Sequence, residues 1–303
     1  VTPASLARIK ALIAVIVWGA SLPSAKVAVA EVSFTTLIWL RLFSGVVALL
    51  LFLAVRRRLH PLPLREAARF AALGFLGIFF HNSIQAYALK TVSAGMSGLI
   101  IAANPIAIAI LGSLILSERL DKTKIAGIFL AACGVLVIIS RGNLSILFER
   151  NYSFGELVMV FSVFSWGFFS VLSRKALQRT SPDLGMTYAL TFGWLFATIP
   201  FLMAGGPAEV QAVSTKAWAN ILFLGVFCSA LAYLFWYDAL QALPASEAGV
   251  FLYVNPVVAV LISALFLGES VTPSMLLGGA MVFSGVWCVN QLANRMQNGR
   301  KRS

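Results

Sequence analysis

Apolar runs of about 20 residues follow one another along the whole chain, and charged residues collect in the short stretches between them. Ten runs stand out: 9–29, 35–55, 68–89, 94–116, 123–140, 154–174, 184–204, 217–238, 246–267 and 274–293. A helix rises ~1.5 Å per residue, so each is long enough to cross a hydrocarbon core of ~30 Å. The two-residue alternation of barrel strands is absent from them. The pattern predicts an all-α membrane protein with ten transmembrane helices and no room for a separate soluble domain.

The pattern also repeats. Gly98–Val135 aligns with Gly249–Val286 at an offset of 151, matching Asn104-Pro105 with Asn255-Pro256, Glu118 with Glu269, Gly127 with Gly278 and Gly134 with Gly285. Ala88-Leu89 and Ala239-Leu240 share that offset, whereas Trp18-Gly19 matches Trp166-Gly167, and Lys26 matches Arg174, at 148. A small loop insertion explains the difference. Two units follow, 1–148 and 149–303, the second ending in a basic tail. Each holds five spans, and an odd number turns the second copy upside down in the bilayer. Inverted repeats of this kind occur in secondary transporters, where the halves exchange roles as access alternates and the site lies near the midplane.

Composition agrees with membrane insertion: 60% of the 303 residues are hydrophobic and 11% charged, against roughly a quarter charged in soluble domains. The net charge of +12 comes with a strong positional bias. Arg8 and Lys10, Arg56 to Arg69, Arg119 to Lys124, Arg174 to Arg179 and Arg295 to Arg302 fall on one side of the ten spans, leaving Lys90, Arg141, Arg150 and Lys216 on the other. That asymmetry predicts cytoplasmic termini and accounts for the basic excess without a nucleic-acid partner. Cys133, Cys228 and Cys288 lie in apolar runs at unrelated spacings, which supports neither disulfides nor a metal site. Arg8 and Lys10 before an apolar run imitate a secretory signal, but the matching run near Phe154 is internal, so the first run reads as a span.

With its Trp-Gly pairs and its repeated Pro105, Glu118, Gly127, Gly134 and Pro256, Glu269, Gly278, Gly285, the chain resembles the EamA family of the drug/metabolite transporter superfamily. Within it the chain looks closest to the YddG-type bacterial amino-acid exporters. Arg41 also looks like the family, although 184–204 holds no matching Arg. The resemblance implies a multi-pass protein of the bacterial inner membrane that exports amino acids, aromatic or other neutral ones, or related metabolites by alternating access. Multidrug export is the second reading within the same superfamily. The implied partners are a small-molecule substrate and the lipid bilayer, with no cofactor and no metal. Nothing in the sequence sets the oligomeric state.

Several polar and aromatic residues interrupt the apolar runs. His81, Asn82 and Gln85 form the densest polar cluster; groups of this kind face the bundle interior, either lining a cavity or bonding other helices. Their repeat equivalents are aromatic-rich, so Tyr233, Trp236 and Tyr237 supply the opposite wall of an amphipathic chamber suited to zwitterions. Trp18 and Trp166 lie about ten residues into their spans and are expected to stack or gate there. Asn104-Pro105 and Asn255-Pro256 are expected to kink mid-span helices and assist gating. Arg41 either receives a substrate carboxylate or snorkels outward and pairs with Glu31. Lys26 and Arg174 are expected to snorkel at span ends. Glu118 and Glu269 read as structural, ahead of the helix caps Asp121 and Thr272.

No carboxylate falls at mid-depth, since Glu156 and Glu247 lie near span starts and Asp238 near a span end. Transport is therefore facilitated, or weakly proton-coupled through His81. An enzyme would need a nucleophile with a base, paired carboxylates or a metal cluster, and neither that nor a P-loop is present. A channel or receptor is the alternative of another class.

Overall fold

The computed structural model describes residues 2–88, 91–92, 100–140, 143, 154–258, 261 and 272–300, and every regular element among them is helical. The first half contains α1 (Pro3–Gly19), α2 (Ser21–Val29), α3 (Phe34–Val55), α4 (Leu64–Leu73), α5 (His81–Ala88), α6 (Asn104–Leu116) and α7 (Lys122–Ile139). The second contains α8 (Phe154–Ala176), α9 (Pro182–Met203), α10 (Gly206–Gln211), α11 (Thr215–Leu222), α12 (Ala232–Ala242), α13 (Ala245–Gly249) and α14 (Pro273–Arg300). Among the described residues, five helical rods are long and apolar enough to cross a membrane: 34–55, 64–85, 154–176, 182–203 and 215–242. Large apolar side chains such as Leu51, Leu114, Phe129, Ile199 and Trp287 stand on the outside, as a lipid solvent permits.

Local chemistry sets where these helices begin. Ser33 and Ser214 cap α3 and α11 by accepting the N–H of Thr36 and Ala217, and Asp121 caps α7 by accepting those of Thr123 and Lys124. Thr272 accepts the Met275 N–H ahead of Pro273, as expected. Glu269 lies outside the described residues.

Two features depart from ten simple rods. The first run breaks at Ala20, where the Ser21 hydroxyl donates to the Trp18 carbonyl at 2.6 Å. The Asn-Pro pairs do not kink continuous helices. Residues 102–103 form a turn and α6 starts at Asn104, so Pro105 occupies the first turn, where its missing N–H leaves no bond unmade. Ahead of Pro256 the chain winds as a 3-10 helix over Val250–Tyr253 before resuming as α-helix at 254. Each Asn-Pro opens a helical segment.

The two-repeat architecture is visible in three dimensions. π-helix occupies Gly74–Phe80 between α4 and α5, and Phe223–Leu231 between α11 and α12; the two stretches end at positions 151 residues apart. Gly74 lies against Ala189 and Gly193 of α9, and Gly225 against Arg41 and Ser44 of α3, so each π segment is seated on the other half. At the far end of each half, α7 and α14 cross through four glycines. A Cβ on Gly134 would stand 2.6 Å from the Gly278 carbonyl, and one on Gly285 would stand 2.5 Å from that of Gly127. Gly127 meets Gly285 while Gly134 meets Gly278, which makes the helices antiparallel. Exchanging repeat-equivalent residues maps the crossing onto itself.

Candidate functional site

Where the halves meet, the glycine after each tryptophan receives the other half's Asn-Pro segment. A Cβ on Gly19 would strike Val258 at 2.7 Å and reach the Asn255 carbonyl at 3.5 Å; one on Gly167 would strike Leu111 and Ala107 of α6. The tryptophans one residue earlier on α1 and α8 both lie against Tyr233 and Trp236 of α12.

The result is a single aromatic cluster. Trp18 lies 5.5 Å from Trp166, 5.2 Å from Tyr233 and 5.7 Å from Trp236, and Trp166 lies 6.1 Å from Trp236. Trp18 meets Trp166 and Tyr233 edge to face, an arrangement worth ~0.5–1.5 kcal/mol per pair beyond burial. Trp236 and Tyr237 are fully buried and Trp166 and Tyr233 nearly so. The chamber expected from the sequence is thus filled by its own rings in this conformation.

The polar wall is only partly turned toward those rings. The His81 ring lies tilted 5.1 Å from Trp166, and its Nδ1 donates to the Ser162 carbonyl at 3.1 Å, because a carbonyl can only accept. Gln85 reaches the Ser162 hydroxyl at 3.5 Å. Asn82 donates to the Ile78 carbonyl of its own helix and stands against the Tyr233 hydroxyl. Tyr237 shares a hydrogen bond with Ser173 at 3.0 Å and belongs to the packing beneath the cluster.

Arg41 neither snorkels to Glu31 nor stands free. Its Nε donates to the Ser229 hydroxyl at 3.0 Å, and it lies within electrostatic reach of His81 and Tyr233. Glu31 is engaged elsewhere, accepting the N–H and hydroxyl of Ser214. Those two donors hold its carboxyl below the ordinary carboxylate value.

Among the described residues several buried polar atoms find no partner, including the indole N–H groups of Trp166 and Trp236 and the side-chain oxygens of Asn104 and Asn255. The two asparagines are repeat equivalents. Trp18, by contrast, donates to the Cys228 carbonyl at 2.9 Å. Buried polar groups without partners are rare, and a bound ligand is one of the things that accounts for them.

The clearest structure that sequence reasoning missed is a polar latch between the halves. Glu118 accepts the backbone N–H groups of Ala245 (2.6 Å) and Ser246 (3.0 Å) and the Ser246 hydroxyl (2.7 Å). Its carboxylate also lies 3.3 Å from Arg174 Nε. Arg174, expected to snorkel, instead donates to the carbonyls of Leu240 and Leu243. The Lys26 side chain lies outside the described set. Beside the latch, Arg8 pairs with the fully buried Glu247 at 2.6 Å and Lys10 with Asp238 at 2.5 Å. Glu156, at the start of α8, is buried as well. Acids and bases at span ends were legible in the sequence; which of them meet across the two halves was not. Among the described residues no three His, Cys, Asp or Glu side chains converge as metal ligands.

Known proteins resemble this chain over most of its length. The profile of the EamA-like transporter family matches residues 6–140 and again 153–291. Among similar proteins, the transporter YdfC of Bacillus subtilis is 31% identical, over 92% of this chain and 89% of its own. A probable terminal-alkyne amino-acid exporter of Streptantibioticus cattleyicolor is 28% identical, over 96% and 94%. A crystal structure at 17% identity superposes with a TM-score of 0.77 over 94% of this chain and 98% of the other, a likeness of fold alone.

Proposed function

Because this chain belongs to the EamA-like transporter family, whose members are small-molecule transporters and not enzymes, we propose that it exports amino acids by alternating access. Aromatic or other neutral amino acids, and related metabolites, are the substrate class, as in a YddG-type exporter. The observation that carries this reading is that, inside the packed aromatic cluster, the indole N–H groups of Trp166 and Trp236 have no partner among the described residues. Two indole N–H donors, with Arg41 nearby, suit a carboxylate; the Asn104 and Asn255 oxygens suit an ammonium; the rings suit an apolar side chain. The amino-acid exporter of Streptantibioticus cattleyicolor points the same way.

The working architecture is ten spans in two inverted units, 1–148 and 149–303, in the inner membrane of a bacterium with both termini cytoplasmic. The antiparallel, self-exchanging glycine crossing supports the inversion. The pairs Arg8–Glu247, Arg58–Asp183 and Arg174–Glu118 support the sidedness, since each joins residues that the ten-span reading puts on one side. The conformation seen is closed at the Glu118 end, and the opposite state requires that latch to part.

Proteoliposomes loaded with labelled phenylalanine, tryptophan, leucine, choline or a cationic dye test the reading. Saturable counterflow of the amino acids is expected. Efflux of the dye alone would replace it with multidrug export, and unsaturable flux would make the protein a channel. Because the sequence places no carboxylate at mid-depth, facilitated transport is favoured, and an imposed pH gradient should act alike on wild type and His81→Ala.

A further inference from the structure

A crevice of about 440 Å³ opens between α4 with its π extension and the end of α8. Leu73, Leu76 and Leu172 form its apolar part, and Arg69, Lys175 and Arg179 stand around it. Leu76 lies seven residues beyond Arg69, or ~10 Å along the helix, so the crevice is cationic at one level and apolar below it. Lys175 and Arg179 are exposed and have no ion pair among the described residues. Arg69 has a single contact at 3.4 Å with Glu66, whose other oxygen already accepts the Thr180 hydroxyl at 2.7 Å. Three cations thus surround a cavity with one shared carboxylate in reach.

We propose that this crevice binds an anionic phospholipid, its phosphate held by Lys175, Arg179 and Arg69 and the first part of an acyl chain lying on Leu76 and Leu172. Charge complementarity selects the headgroup, and basic pockets between transmembrane helices are where acidic lipids lodge. The apolar half argues against a soluble anion, which would gain nothing from leucines. The site is on the helix that carries Trp166 and, adjacent to Lys175, the latch residue Arg174, so a bound lipid would brace the end of α8. The leaflet that supplies the lipid rests on the orientation proposed above; the crevice and its charge do not.

The full-length protein in detergent, titrated with dioleoylphosphatidylglycerol and dioleoylphosphatidylcholine and read by native mass spectrometry, tests this without any transport measurement. The first phosphatidylglycerol should bind at least about tenfold more tightly than phosphatidylcholine. Lys175→Gln/Arg179→Gln should weaken it by roughly 25-fold, about fivefold per cation, whereas Arg119→Gln/Lys122→Gln, with the same charge loss elsewhere, should change it less than about twofold. Leu172→Trp, which fills the apolar part and keeps every charge, should also weaken it. Equal binding of the two lipids, equal loss in the control variant, or full competition by glycerol phosphate would overturn the proposal.

Discussion

Replacing Glu118 with alanine tests whether the contact between the halves is a gate or only a strut. The carboxylate is nearly buried, accepts three hydrogen bonds from Ala245 and Ser246, and faces Arg174 at 3.3 Å. Its removal orphans those donors and strips the partly buried Arg174 of its counterion. Breaking a buried pair from one side costs ~3–5 kcal/mol. Arg174 keeps its bonds to Leu240 and Leu243 and is 24% exposed, so the lower figure, about 3 kcal/mol, applies. If the latch exists only in the conformation seen here, that energy moves the equilibrium with the opposite state by roughly 150-fold. The assay is thiol accessibility from the Glu118 side of the membrane. Ser170 is fully buried on α8, one turn before Arg174; Ser170→Cys in a chain whose native cysteines are replaced should react at least tenfold faster once Glu118→Ala is added. A fall in melting temperature with unchanged labelling would refute the gate and leave Glu118 as a fastening between helices.

Other expectations concern packing, pH and the site. Gly134→Ala should destabilise the protein by ~1–3 kcal/mol despite the better helix propensity of alanine, because the new methyl meets the Gly278 backbone carbonyl at 2.6 Å; Gly285→Ala should do the same by the symmetry of the crossing, and a rise in melting temperature for either would contradict it. The Glu31 carboxyl titrates below its unfolded value because of the Ser214 donors. Its contribution is therefore present above the unfolded value and fades as pH falls through the folded one. Wild type should melt above Glu31→Gln at neutral pH, and the difference should vanish in acid; a gap that widens in acid reverses the sign. Trp166→Phe keeps a ring and deletes an indole N–H that has no partner among the described residues. Melting should fall modestly, since the smaller ring leaves a gap beside Trp18 and Trp236, while KM for amino-acid counterflow in the folded protein rises about tenfold, the value of one charged hydrogen bond of ~1.5 kcal/mol; an unchanged KM removes this group from the site.

The residues themselves show how far a linear reading reaches. Trp18 and Trp166 were recognisable as a pair from their repeat position, and the structure brings them to 5.5 Å. His81 and Gln85 were recognisable as interior groups, and in this conformation both bond another helix, His81 at the Ser162 carbonyl and Gln85 at its hydroxyl. The prolines misled because Pro105 and Pro256 sit within unbroken hydrophobicity, and hydrophobicity does not report whether a helix continues through a proline or restarts there. One of the two readings of Arg41 paired it with Glu31, but that side chain is taken by the N-cap of α11.

By itself the sequence determined the membrane class, the repeat and the aromatic character of the interior. Partition into hydrocarbon adds up residue by residue along a segment, so it can be read without knowing any neighbour. Only the tertiary structure decided that Glu118 caps α13 and meets Arg174, that Arg41 binds Ser229, and that the rings close on one another. Those contacts depend on how near the helices come, and the glycines at 19, 74, 134, 167 and 225 set that distance by lacking a Cβ where the opposite half's backbone or side chains arrive.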